Sequence, residues 1–324
     1  MPDPPRSVLH KCPGRGFSPP SLFSSLIRHK GQMGDWTAWR PATHAPGMSD
    51  DDRARRLLRL LTLTKTDTDS FRAPVPSGGP ERLFGGHVAA QALRAATLTV
   101  DADRLVHSLH AYFIRPGRLG DDLELTVDRT RDGRSFTTRR VAVHQSGETI
   151  FVLAASFAVE EEGDDWHLPG PQGVPGPDSV KGRESPISQF EAMTPFDLRP
   201  VVVSEPGEFP LIHPLWIRIA GRLPDDPALH ACALAYMSDM GVVGSARAPT
   251  STLPKMFIGA SLDHAVWFHR PVRADEWLLF SVDPVTNYAS RGLARGTFHT
   301  ADGVLVASVA QEALLRSTGR TPLP

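Results

Sequence analysis

The sequence predicts an α+β fold built from two copies of one helix-plus-meander unit, and three observations carry that prediction. A helix-periodic segment followed by four strand-like runs occurs twice, the two halves share motifs at a fixed offset, and a Pro/Gly-rich acidic stretch lies between them. Tyr112-Phe113-Ile114-Arg115-Pro116 matches Trp267-Phe268-His269-Arg270-Pro271 at an offset of 155 residues, and Ser146-Gly147 matches Asp302-Gly303 at 156. A repeat of this length is one supersecondary unit used twice, and one buried helix followed by an antiparallel meander is an α+β arrangement.

The elements follow in order. Residues 1–47 hold eight of the chain's 30 prolines and no sustained apolar period. They are expected to be a disordered or mis-assigned extension, because proline interrupts any long amphipathic helix. Ser49-Asp50-Asp51-Asp52 supplies a helix N-cap and an acidic first turn ahead of Ala54 to Leu61, so the first unit is expected over 48–159. Residues 86–98 read as a helix of small apolar residues, buried on most sides, with paired glycines at its start that admit a second backbone. Leu105–Ile114, Leu123–Arg129, Ser135–His144 and Thr149–Val159 read as strands, punctuated by Pro116-Gly117, Arg131-Asp132-Gly133 and Ser146-Gly147. An acidic run and then a Pro/Gly run make 160–200 the expected linker. The second unit is expected over 201–318. Its helix at 228–240 carries Leu229, Cys232, Ala233, Tyr236, Met237 and Met240 on one stripe. Strands are expected at Phe257–His269, Trp277–Val282, Gly292–His299 and Val304–Leu315.

Composition excludes several classes. A net charge of -1 argues against nucleic acid as a partner. Cys12 and Cys232 cannot form a disulfide framework, which favours a reducing cytoplasm. There is no run of 18 apolar residues, so no membrane span is expected. The ending Thr321-Pro322-Leu323-Pro324 is not a peroxisomal Ser-Lys-Leu signal. No Gly-x-Ser-x-Gly elbow, Walker loop or His-Glu-x-x-His helix is present. The odd spacings of His107/His110 and His264/His269 put each pair on opposite strand faces, so no metal or cofactor is expected.

Two polar residues on apolar faces stand out. Gln311 is the only polar member of the face Leu305, Ala307, Val309, Ala313 and Leu315. Leaving it unpaired in the core would cost about 1–3 kcal/mol, so it either ties backbone groups together or serves a site. Asp239 falls at the margin of the buried stripe near a helix C-terminus, where the macrodipole disfavours negative charge. It is either a solvent-facing acid in a fraying turn or a carboxylate of raised pKa suited to handling a water. Ser261, in a strand after Gly259-Ala260, says little by itself.

Several motifs together resemble the acyl-CoA thioesterase II family. They are Phe84-Gly85-Gly86-His87-Val88, His107-Ser108-Leu109-His110 through Pro116-Gly117, Arg131-Asp132-Gly133-Arg134-Ser135-Phe136, Tyr236-Met237-Ser238-Asp239, Ser261-Leu262-Asp263-His264-Ala265-Val266-Trp267-Phe268-His269-Arg270 and Gln311-Glu312-Ala313-Leu314-Leu315-Arg316. The resemblance runs from about Leu57 to Arg316 and implies a tandem (double) hot-dog, two long helices each wrapped by an antiparallel sheet. It implies acyl-CoA as substrate, assembly into homo-oligomers, and a hydrolytic triad of Asp239, Ser261 and Gln311. Two departures from the family pattern are His87, where Gln is usual, and Ala313, where Gly is usual.

The implied chemistry is hydrolysis of a thioester by a water held by the triad. Ser261 is not expected to be a nucleophile, since His264, three residues on, should face the other way. Rival readings are a non-catalytic acyl-CoA-binding protein and a hot-dog enoyl- or hydroxyacyl-CoA hydratase, which would want an Asp/His pair. Arg115, Arg131, Arg134, Arg139 and Arg140 sit near turns where they would serve equally as CoA-binding cations or as a solvated edge.

Overall fold

Ser49 caps the first helix as its sequence requires: the Ser49 hydroxyl accepts from the Asp52 N–H at 3.2 Å, and the Asp52 carboxylate reaches back to Ser49. The structure, a computed structural model, describes residues 48–76, 82–180, 195–201, 212–249, 251 and 257–317. The expected extension at 1–47 and parts of the expected linker and second unit lie outside these residues.

The first unit comprises α1 (Asp50–Leu61), β1 (Thr64–Asp67), β2 (Ser70–Ala73), α2 (Gly85–Thr97), β3 (Arg104–Phe113), β4 (Leu123–Asp132), β5 (Phe136–Gln145) and β6 (Glu148–Val159). The second comprises β7 (Phe196–Pro200), β8 (Leu215–Ile219), α3 (Pro227–Met237), the single turn α4 (Val242–Ser245), β9 (Phe257–Ser261), β10 (Asp263–Phe268), β11 (Leu278–Tyr288), β12 (Arg291–Thr300) and β13 (Leu305–Ser317). All the described strands join one antiparallel sheet. Outward from a central β3–β10 pair run β6, β5, β4, β2 and β1 on one side, and β13, β12, β11, β8 and β7 on the other. That mirrored order is what two copies of one unit produce when fused along their equivalent strands. At the seam, His110 lies opposite Ala265 and Leu109 opposite Val266.

The two helices fill the inside of the curved sheet. Ala89, Ala90, Ala92, Leu93, Ala95 and Ala96 of α2 are fully buried. With side chains this small, α2 packs on α3 and on β4, β5 and β6 at once. Asp226 caps α3 by accepting from the Ala228 and Leu229 N–H groups, and Pro227 takes the first helical position. Burial of Leu57, Leu60 and Leu61 ties α1 into the same core. Arg53 of α1 also reaches across to the second unit, bonding the Asp197 carboxylate on β7 at 2.8 Å.

The structure departs from the sequence reading in four places. Phe196–Pro200, assigned to the linker by composition, is strand β7 paired with β8. The described part of the linker is not free chain. Prolines lack N–H donors but keep their carbonyls, and those of Pro175 and Pro177 accept from the Trp216 indole at 2.9 Å and the Arg199 guanidinium at 2.5 Å. Asp165 pairs with Arg270 on the second unit. The short strands β1, β2, β7 and β8 escaped the sequence reading. The expected strand Phe257–His269 is two strands, with consequences for the site.

Candidate active site

Asp239, Ser261 and Gln311 come together from three separate elements. Ser238 caps α3, the Met240 N–H bonds back to the Met237 carbonyl, and Gly241 turns the chain away at φ +71°. A positive φ is cheap only for glycine. Asp239 therefore lies two residues past the helix rather than within its last turn as expected. Its side chain points back into the protein and is 6 % exposed.

The partner on the other side belongs to the first unit. Phe84, the N-cap of α2, provides no side-chain cap, and the Gly86 N–H donates instead to Asp239 Oδ2 at 3.0 Å. One of the orphan donors of a helix start is thus satisfied by a carboxylate that the macrodipole favours. The paired glycines permit this approach. A Cβ on Gly86 would lie 2.3 Å from the Tyr236 carbonyl oxygen, and one on Gly85 would lie 2.6 Å from Asp239 Oδ2.

Ser261 reaches the site because of a bulge. Along β13, Ala310 faces Ala265 and Ala313 faces Ser261, so three steps on β13 match four on the opposite strand. The extra residue falls at Leu262–Asp263, where the Glu312 carbonyl accepts from the Leu262 N–H and the Glu312 N–H donates to the Asp263 carboxylate. A bulge of this kind re-aims side chains beside it. Ser261 Oγ donates to Asp239 Oδ1 at 3.3 Å and accepts from Gln311 Nε2 at 2.9 Å. The fully buried Gln311 sits on the inward face of β13, opposite the bulge, as the sequence pattern indicated.

The same bulge overturns the expectation for His264. Three residues on a regular strand reverse the side chain, but the inserted residue restores the phase, so Ser261 and His264 both face inward. His264 is 1 % exposed, its Nδ1 lies 2.5 Å from Gln311 Oε1, and its Nε2 lies 2.7 Å from Ser238 Oγ. His264, Ser238 and the Gly86 N–H were not singled out by sequence reasoning. The glycine pair was the available signal for the last; for His264 the two-residue strand period pointed the wrong way.

Electrostatics at the site follow from its burial. Desolvation pushes the Asp239 carboxyl up to about 6, against the lowering pull of hydrogen bonds from Gln311, the Gly86 N–H and Ser261. Burial likewise lowers His264 to about 4, leaving the ring neutral at pH 7. His87 is fully buried against Tyr236, at 5.8 Å between rings, and burial lowers it to about 4 as well. Among the Arg residues near the turns, Arg139 is buried and spent on Thr99 and Asp132, while Arg115 pairs with Glu148.

Two antiparallel meanders, each wrapped on a helix and fused along one strand pair, define the tandem hot-dog class. Models of acyl-CoA thioesterases match residues 189–314, and models of the acyl-CoA thioesterase N-terminal domain match residues 71–158. Human acyl-coenzyme A thioesterase 8 is 34 % identical over 288 residues, covering 82 % of this chain and 90 % of the human protein. Acyl-CoA thioesterase 2 of Haemophilus influenzae is 33 % identical over 281 residues, covering 82 % and 98 %. The crystal structure of an acyl-CoA thioesterase II, TesB2, from Mycobacterium marinum aligns with a TM-score of 0.69 at 39 % identity, covering 81 % of this chain and 99 % of that one. The chain belongs to the acyl-CoA thioesterase family and is an enzyme of the thioester hydrolase class. No described helix is long and apolar enough to cross a membrane.

The raised Asp239 pKa has a stability consequence with a definite sign. The folded protein holds this proton more tightly than the unfolded chain, whose Asp titrates near 3.8. The carboxyl is therefore tolerated at low pH, and its ionisation destabilises the fold progressively as pH rises from about 4 through about 6, by about 2–3 kcal/mol in full. Asp239→Asn keeps the shape and an acceptor for Gly86 without the charge. The variant should melt above the parent at pH 8, with the gap closing toward pH 4; an unchanged or lower melting temperature at pH 8 would contradict the assignment of a strained carboxylate.

Proposed function

We propose that the chain hydrolyses acyl-CoA to a free fatty acid and CoA by direct attack of a water held by Asp239, Ser261 and Gln311. The observation that carries this reading is the convergence of a buried carboxylate, a hydroxyl and a carboxamide N–H within hydrogen-bonding distance of one another. In the attack, the water oxygen bonds to the thioester carbon while Asp239 takes one of its protons. Collapse of the tetrahedral intermediate breaks the C–S bond, CoA leaves as the thiol or thiolate, and Asp239 gives up its proton to complete the cycle. Ser261 and Gln311 fix the water for attack, which is the positional part of catalysis. A base with a pKa near 6 is ionised at neutral pH yet basic enough to accept a proton.

A covalent role for Ser261 is disfavoured by its partners. Its hydroxyl bonds Asp239 and Gln311, and the nearby imidazole of His264 is turned to Gln311 and Ser238 instead. The same arrangement disfavours a hydratase, which needs Asp and His to act on one substrate. The cytoplasm is the setting proposed, because two cysteines make no disulfide framework; Cys232 is a free buried thiol whose pKa burial raises to about 12, an inert core residue.

Asp239→Asn and Gln311→Ala should remain folded with thiol release lowered by about 10²–10⁴-fold, the range for loss of a general base or its partners. A colorimetric thiol assay measures this, and near-parental turnover in either variant would refute the assignment. Because only the ionised carboxylate accepts a proton, kcat/KM should fall as pH drops through about 6 and level off above it. A profile flat between pH 5 and 7 would exclude Asp239 as the base.

A further inference from the structure

Gln311 presents a problem that shape alone does not solve. The oxygen and nitrogen of a carboxamide are nearly the same size, so its neighbours decide which points where. On one side lie Ser261 and the Asp239 carboxylate, where only the Nε2 end is of use, because an oxygen there would face an anion. On the other side lies His264.

We propose that His264 is a positioning residue for the hydrolytic step, donating from Nδ1–H to Gln311 Oε1 and so holding the carboxamide with Nε2 toward Ser261 and the attacking water. Ser238 completes the device by donating to His264 Nε2, which puts the ring proton on Nδ1. The inference rests on the Asp239–Ser261–Gln311 reading above. With that tautomer the contacts form a one-way chain of donors: Ser238 Oγ to His264 at 2.7 Å, His264 to Gln311 at 2.5 Å, Gln311 to Ser261 at 2.9 Å and Ser261 to Asp239 at 3.3 Å. The alternative tautomer breaks it. Were Ser238 to spend its one proton on the Ala235 carbonyl, 2.9 Å away, Nε2–H would donate to Ser238 and a bare Nδ1 would face Gln311 Oε1. The carboxamide would then turn over and direct its oxygen at Asp239. A ring that burial keeps neutral has one proton to place, which makes its placement decisive.

The first unit provides an internal control. It carries a bulge at the equivalent place, His107, where Val106 faces Phe157 and Ser108 faces Ser156. At the 155–156-residue offset, Val106 stands for Ser261, Leu109 for His264 and Ala155 for Gln311, and all three are buried. The bulge and the packing around it thus form with a leucine, not an imidazole, at the position of His264. The histidine occurs in the unit that has the glutamine.

His264→Leu should fold, hold KM for an acyl-CoA within about twofold and lose kcat by about 10- to 100-fold, as when an orienting partner of a reacting group is removed. His264→Asn, whose amide N–H takes the place of Nδ1–H, should recover most of kcat. In a Gln311→Ala background, His264→Leu should cost nothing further, because the group it positions is gone. Parental kcat in His264→Leu beside a crippled Gln311→Ala would overturn this inference alone, as would an Asn variant no better than Leu, or equal losses in both backgrounds. Parental turnover in Gln311→Ala would instead bring down the triad reading and this inference with it. If His264→Leu does not fold, Ser238→Ala decides: a fall in kcat at constant KM is expected, and unchanged kcat would refute the relay.

Discussion

The site depends on one hydrogen bond between the two units, from the Gly86 N–H at the start of α2 to the Asp239 carboxylate just beyond α3. Asp239 emerges at a helix C-terminus, which repels it, and is cut off from water, which would otherwise solvate it. The opposing N-terminus of α2 is the compensating charge. It comes close enough only because residues 85 and 86 are glycines, which leave no side chain between the two helix ends. The result is a carboxylate held near the edge of ionisation rather than one that is simply stabilised. A more comfortable site would stabilise the protein and weaken the base proposed for the reaction, the usual conflict between stability and activity.

Duplication accounts for a site that draws on both units although only one carries the proposed triad. Each contributes a helix to the shared interior and a bulged strand beside the seam. The second unit has Ser261, His264 and Gln311 at positions where the first has Val106, Leu109 and Ala155. The first unit keeps the backbone role, presenting the uncapped start of α2. Chemistry and its electrostatic support are thereby divided between two copies of one fold.

Much of this was legible in the sequence, for identifiable reasons. The buried helix α2 and the long strands β3 to β6 and β11 to β13 follow regular periods, and β3, β4, β5 and β12 end at glycine or proline turns, so their bounds fall within a few residues of expectation, apart from the C-terminal reach of β11. Gln311 betrayed itself as a polar residue on an apolar face, and Asp239 as an acid where a helix dipole opposes it. Most of the misses share one physical cause, pairing partners distant in sequence; β1 and β2, a local hairpin, are four residues each and too short to show a period. The short strands β7 and β8 are defined by each other and by β11, not by local pattern. The role of His264 depends on a bulge that a strict two-residue period cannot express, and the described part of the linker is held by side chains of Trp216, Arg199 and Arg270 that no local window contains.

The central claim is that Asp239 is a buried carboxylate poised near neutrality, and its own titration tests that most directly. With carboxyl-¹³C-labelled aspartate in the protein, and Asp239→Asn to assign the resonance, NMR follows this one group with pH. The account predicts a single aspartate carboxyl that titrates at about 6, is missing from the variant, and tracks the fall of kcat/KM. An Asp239 resonance titrating with the exposed aspartates near 4 would contradict it.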